Sequence, residues 1–393
     1  MTHSLTANTP LATGAYPETA HRVSALALGI VGILMAGLQP LLLGVLAGEG
    51  RLSAAQLGHA ATAELLAMGA AASIAGTLLP PRHLRAIAIL ACLALAGANL
   101  LSVRANGEIL TLIRAFAGVP GGVLIWLAIG LIVRTPVPER WSGIYLTAQT
   151  LAQFVVAALL ATFVIPRSGA NGGFVAIAAL CLAALPVILW LPKRYAPLTQ
   201  DPAARTTGGL PSAPGIATLL AAFLFLAFIS GIWSYAEPLS RQSGHAAWVI
   251  GTAVPLSLAS QVAGGLAATF LANRLRWPLV LIACGLAGLV LGAGFAILPP
   301  ALPFLLLSSA FGFIWLFVLP FIVAMALDVD HSHRAALLLG GAQLVGASAG
   351  PLAVSLLVTD TETRGALVFG AVALAGFLII VLLLARIPRA ERQ

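Results

Sequence analysis

Long apolar runs alternate with short polar gaps along almost the whole chain. Runs of spanning length fall at about 24–47, 55–79, 86–103, 109–133, 144–165 and 174–192. They resume at about 214–236, 248–272, 279–297, 304–327, 335–358 and 365–385. A bilayer core takes about 20 consecutive apolar residues per helix, so the pattern predicts an all-α membrane protein with twelve transmembrane helices. The longest polar stretch inside the chain, 193–213, is rich in Pro, Thr, Gly and Ala and divides six runs from six. The expected plan is a tail at 1–23, a six-helix bundle over 24–192, a linker at 193–213, a second bundle over 214–385 and a tail at 386–393. Residues 1–22 are polar, and the run that follows is too long for a signal-peptide core, so it is expected to be a retained span.

Composition agrees with this reading. Of 393 residues, 60% are hydrophobic and 8% charged, against about 25% charged in soluble domains. The net charge of +8 would suggest nucleic acid as a partner of a soluble chain. Here all but one of the basic residues lie in the gaps between runs, so the expected surroundings are lipid and no nucleic acid. Cys92, Cys181 and Cys284 sit singly in three different runs, a spacing that suits small-residue packing and neither disulfides nor zinc. Asp328, Asp330, His331 and His333 form the one metal-like cluster, but they lie in a loop where charge is expected, so no metal is assigned. No cofactor is expected either. No nucleophile–base set suggests an enzyme, and no phosphate-cradling Gly-x-x-x-x-Gly-Lys loop is present.

Charge also orients the chain. One set of alternate gaps holds 14 Lys and Arg, the other holds 5, and Arg114 lies inside a run. By the positive-inside rule both termini are expected in the cytoplasm, which requires an even number of spans. The halves resemble each other: Arg140 precedes Gln149 by nine residues in span five, as Arg334 precedes Gln343 in span eleven. Such a repeat suits the parallel-repeat plan of a two-domain transporter.

At this point the sequence resembles the major facilitator superfamily. Arg114-Ala-Phe-Ala-Gly118-Val-Pro-Gly-Gly122 is similar to the family's Arg-xxx-Gly-xxx-Gly motif in span four. Pro138-Glu139-Arg140 resembles its Pro-x-Arg start to span five. Gly346-Ala-Ser-Ala-Gly350-Pro351 resembles its Gly-xxx-Gly-Pro motif, here in span eleven, and Gln39-Pro40 resembles the break in span one. The loop between spans two and three departs from the family pattern. It reads Gly76-Thr-Leu-Leu-Pro80-Pro81-Arg82-His83-Leu84-Arg85, keeping the basic character without the acid. The resemblance implies a secondary transporter in the cytoplasmic (inner) membrane that carries a small-molecule substrate, a monomer by family default.

Charges inside spans are costly and usually functional. Glu64 in span two and Arg114 in span four lie at similar depth, with Gln39 of span one close to the same level. One reading makes Glu64 a protonation site with Arg114 as its partner; the other makes them a permanent ion pair that orients the helices. The second half offers no acid at matching depth. Substrate-cavity candidates are Gln39, Trp126, Trp315, Tyr235 and Glu237; for Trp233 an interfacial belt is preferred. Gln149, Gln261 and Gln343 are candidates for interhelical hydrogen bonds. The expected function is proton-coupled export of a small organic solute, with proton-coupled uptake as the alternative. A transporter-like receptor would normally add a soluble signalling domain, for which these loops leave no room.

Overall fold

The computed structural model describes residues 18–79, 82–135, 138–195, 211–271, 274–330 and 334–387. The terminal tails beyond these bounds, Pro80-Pro81, the linker over 196–210 and the pair His331 and His333 lie outside the described residues.

The first half comprises α1 (Thr19–Gly48), α2 (Ala54–Leu78), α3 (Leu84–Ser102), α4 (Gly107–Ile132), α5 (Pro138–Leu159) and α6 (Ile165–Ala183). A π-helical turn, Leu160–Val164, joins α5 to α6, and a 3-10 stretch, Leu185–Trp190, extends α6. The second half comprises α7 (Ala213–Ser234), the short α8 (Ala236–Gln242), α9 (Ala247–Leu271), α10 (Trp277–Ala296), α11 (Ala301–Val329), α12 (Arg334–Ser355) and α13 (Gly365–Ala385).

Ten helical stretches among the described residues are long and apolar enough to cross a membrane. One of them, Arg140–Trp190, runs through Gly169, whose φ of 58° and ψ of −155° break the helix. Beyond this break the chain doubles back: a Cβ built at Gly172 would come within 2.9 Å of Val164 Cγ1, a contact impossible along a straight helix, where eight residues rise about 12 Å. That stretch therefore supplies spans five and six. The twelfth span is α2, 25 residues long, whose Glu64, His59 and Gln56 dilute its hydropathy. Spans seven to twelve are α7 and α9 to α13, with α8 continuing the chain beyond the end of span seven. Among the described residues the fold is all-α and consistent with twelve spans, six in each half.

Local chemistry sets these boundaries. Ser53 and Gln56 form a reciprocal capping box at the start of α2. Glu49 Oε1 accepts the Ala170 N–H at 3.0 Å and so caps the strand of helix that leaves the Gly169 break. In lipid, helices associate by close packing rather than by excluding water. Gly118 and Gly122 of α4 rest on the backbone of α2 at Glu64 and Met68, and Gly346 and Gly350 of α12 rest on the backbone of α7 at Phe223 and Ala227. A Cβ at any of the four would overlap main chain, so both motifs act within their own half.

Candidate functional site between the halves

Helix pairs that cross between the halves are chiefly α2 with α12 and α5 with α9. The α2–α12 seam shows how the molecule is open. At the face away from the termini it is shut. Asp360, from the α12–α13 connection, accepts the Ala54 N–H at 2.6 Å, capping α2 from the other half. Tyr235, at the α7–α8 junction, donates its hydroxyl to Ala54 O at 2.8 Å. Further in, Thr62 Oγ1 donates to Ser348 O at 2.9 Å, and Gly69 packs on Leu344. From Ala54 to Gly69 the contact runs about 22 Å at 1.5 Å per residue. Past Gly69 it ends. Ser73 and Gly76 continue the same stripe of α2 and are exposed, as are Gly340 and Gly341 on α12. A Cβ at either Gly340 or Gly341 would meet nothing within 4 Å. The two helices splay apart toward the termini and leave an opening between the halves.

The sequence candidates distribute around this seam. Gln39 is buried and joins three helices: its Nε2 donates to Ala61 O of α2 at 3.5 Å, and its Oε1 accepts from Ser234 Oγ of α7 at 3.2 Å. Tyr235 and Glu237 lie in the shut face. Glu237 is buried against Gly44 of α1, and its Oε2 lies 3.6 Å from Arg241 Nη2, an ion pair without a hydrogen bond. Trp315 stands in the middle of α11, its ring edge-on to Trp233 at 5.6 Å. Trp233 is thereby buried inside the second half and does not form the interfacial belt expected for it. Trp126 sits six residues from the end of α4, half-buried beside Gly76. Gln343 is half-buried beside the point where the seam ends.

Glu64 and Arg114 do meet. Arg114 donates from both Nε and Nη2 to the two carboxylate oxygens of Glu64, the Nε bond measuring 3.1 Å. Arg114 Nη1 donates to Asn99 Oδ1 at 3.0 Å and to Ser102 Oγ at 3.3 Å, and its guanidinium lies 5.5 Å from the Phe174 ring centre. Both charges are fully buried. The network ties α2, α3, α4 and α6 within one half, and Gln39 makes its bonds elsewhere.

Sequence reasoning missed Asn99 and Ser102. Their signal was available: two polar residues three apart on one face of an otherwise apolar span, at the level of Arg114. It also chose the wrong glutamine in α5. Gln149 Oε1 and Gln261 Nε2 lack hydrogen-bond partners, whereas Gln153, one turn on, donates to Ile33 O of α1 at 3.0 Å. Among the described residues no group of three His, Cys, Asp or Glu is placed to hold a metal. Asp330 instead accepts from Ser212 Oγ and from the Ala335 N–H, each at 2.8 Å, fastening the start of α12 to the start of α7.

The fold is thus two halves packed along two helix pairs, shut at one face and parted at the other. Solved structures give the comparison. A mutant form of the nucleoside transporter NupG superposes with a TM-score of 0.67 at 12% identity, covering 93% of this chain and 98% of that one. A bacterial homologue of the human lysosomal transporter Spinster, in an inward-facing and occupied conformation, superposes with a TM-score of 0.64 at 15% identity, covering 95% of this chain and 97% of that one. The chain shares its fold with both of these transporters. No protein-family model and no curated protein matches the sequence.

Proposed function

We propose that this protein is a secondary active transporter of the cytoplasmic membrane, with both termini cytoplasmic, which exposes a site between its halves to each face in turn. The observation that carries this reading is the α2–α12 seam, bonded from Ala54 to Gly69 and parted beyond. With the termini inside, this is the state open to the cytoplasm. The moving units are the bundles over 24–192 and 214–385.

The cargo is a small uncharged organic solute. Among the described residues the buried charged side chains are Glu64, Arg114, Glu237 and Asp330. Glu64, Arg114 and Asp330 are held by internal partners, and Glu237 lies in the shut face. Around the seam the available groups are amides, hydroxyls and indole rings, which recognise a ring system with polar substituents. A nucleoside fits that description and is the first solute to try, since one structural neighbour is a nucleoside transporter. Coupling to the proton gradient, with export as the direction, completes the reading; it is supported by the retention of buried acids in a chain so poor in charge.

The test is a disulfide across the seam, with Thr62→Cys and Ser348→Cys, in proteoliposomes given tritiated uridine and a panel of other neutral solutes. Oxidation is expected to abolish flux of whichever solute is carried, and reduction to restore it. Undiminished flux in the fully cross-linked protein would contradict the reading.

A further inference from the structure

We propose that Glu237 makes closure of the face away from the termini pH-dependent, taking up a proton from water at that face as it closes and giving it back there as it opens. This rests on the rocking of the halves proposed above and concerns the state of one face, not the proton that drives transport. Glu64, the other deeply buried glutamate, is poorly suited: both its oxygens receive Arg114, and the whole network lies within one half, so rocking of the halves leaves its surroundings unchanged. Glu237 differs on each count. It sits on α8, beyond the end of span α7, against Gly44 of the opposite half. Its Oε2, the oxygen 3.6 Å from Arg241, is buried and accepts no hydrogen bond. Its neighbourhood is therefore built by closure and dismantled by opening.

The charged groups around it leave it undercompensated. Arg241, on its own helix, is 3.6 Å away but 46% exposed, so solvent weakens the attraction. At the end of α1, Glu49 is turned toward the Ala170 N–H and Arg51. From the α12–α13 connection, Asp360 is engaged by Ala54, and Glu362 by Gln242 and the Arg364 N–H. His245, ahead of α9, bonds Ser240 and Pro299 O. Across the seam, Tyr235 is committed to Ala54. Burial accordingly favours the neutral carboxyl over the carboxylate, with Arg241 opposing. Water reaches the seam nearby: a cavity of about 480 Å³ is lined by Ser53, Gln56, Pro238, Arg241, Asp360 and Thr363.

The direction of the linkage follows. With the face open, Glu237 is a solvated carboxylate of ordinary acidity. Closing raises its proton affinity, so closure binds a proton drawn from water at that face. Between the two affinities the closed-to-open ratio then rises by up to about tenfold per unit fall in pH, and it levels off below both.

The test uses full-length protein with spin labels at Arg104 and Thr361, exposed positions on opposite halves of the closing face. Wild type is expected to shift toward the short distance between pH 8 and pH 5. Glu237→Gln, which mimics the neutral form, is expected to stay short at every pH, and Glu237→Asp to restore the shift. Label distances that keep one value in wild type and variant alike, whatever the pH or the solute supplied, overturn the rocking of the halves itself. A wild-type distance that answers to solute but not to pH, or a pH shift that survives in Glu237→Gln, leaves that rocking standing and overturns the assignment to Glu237.

Discussion

Two glutamates, both buried, show what location does to the same side chain. Glu64 lies inside the first half, its two oxygens filled by an arginine that is itself held by Asn99, Ser102 and Phe174. Glu237 lies between the halves, and the oxygen that faces its partly exposed arginine accepts no hydrogen bond. The first is a fixed joint. The second, in the proposed cycle, is a group whose environment depends on the state of the seam. Burial alone does not mark an acid as functional in a transporter; what matters is whether the moving boundary passes through its surroundings.

The largest expected effect is on the fixed joint. Glu64→Gln leaves Arg114 charged, buried and short of its partner, a change that typically costs about 3–5 kcal/mol. We expect a strong loss of thermal stability and yield, read by a thermal-shift assay in detergent. Replacing both residues by leucine should cost less than the single change, because no orphan charge remains. If Glu64→Gln instead kept wild-type stability, the joint would not be what separates the two acids. Next is Gly118→Ala, which pushes a methyl group into the backbone of Glu64 and should cost about 1–3 kcal/mol by the same assay.

The moving boundary should respond differently. Asp360→Ala removes the cap that the second half places on α2, worth about 1 kcal/mol. Its effect should fall on the closed state alone, lowering the closed fraction about fivefold in spin-label distances while the melting temperature barely moves. The smallest effect is expected at Gly341→Ala, where the added methyl group meets nothing. Stability should rise by up to about 1 kcal/mol, from helix propensity alone. A marked loss would mean that α12 and α2 touch there in a populated state.

Much of the architecture was legible in the sequence because the bilayer imposes a length and a polarity on each span. Polar interruptions in the hydropathy gave twelve runs, and the equal depth of Glu64 and Arg114 foretold their meeting. The limits were rotational and local. Hydropathy gives depth but not which way a side chain points, so Gln149 was chosen where Gln153 makes the bond, and Glu237 could not be told from an interfacial acid. The reversal at Gly169 depends on a single backbone conformation within a stretch whose composition reads as loop, and the helix runs on to it through a π turn that no apolar pattern announces.

The central claim is that the halves rock about the α2–α12 seam. The most direct measurement is distance distributions from two label pairs on one protein: Arg104 with Thr361 at the shut face, and Ser73 with Gly341 at the parted one. The account predicts two populations that exchange in opposition, the first pair lengthening as the second shortens when a carried solute or pH is varied. Two distances that vary independently, or a second pair that stays apart under every condition, would contradict it.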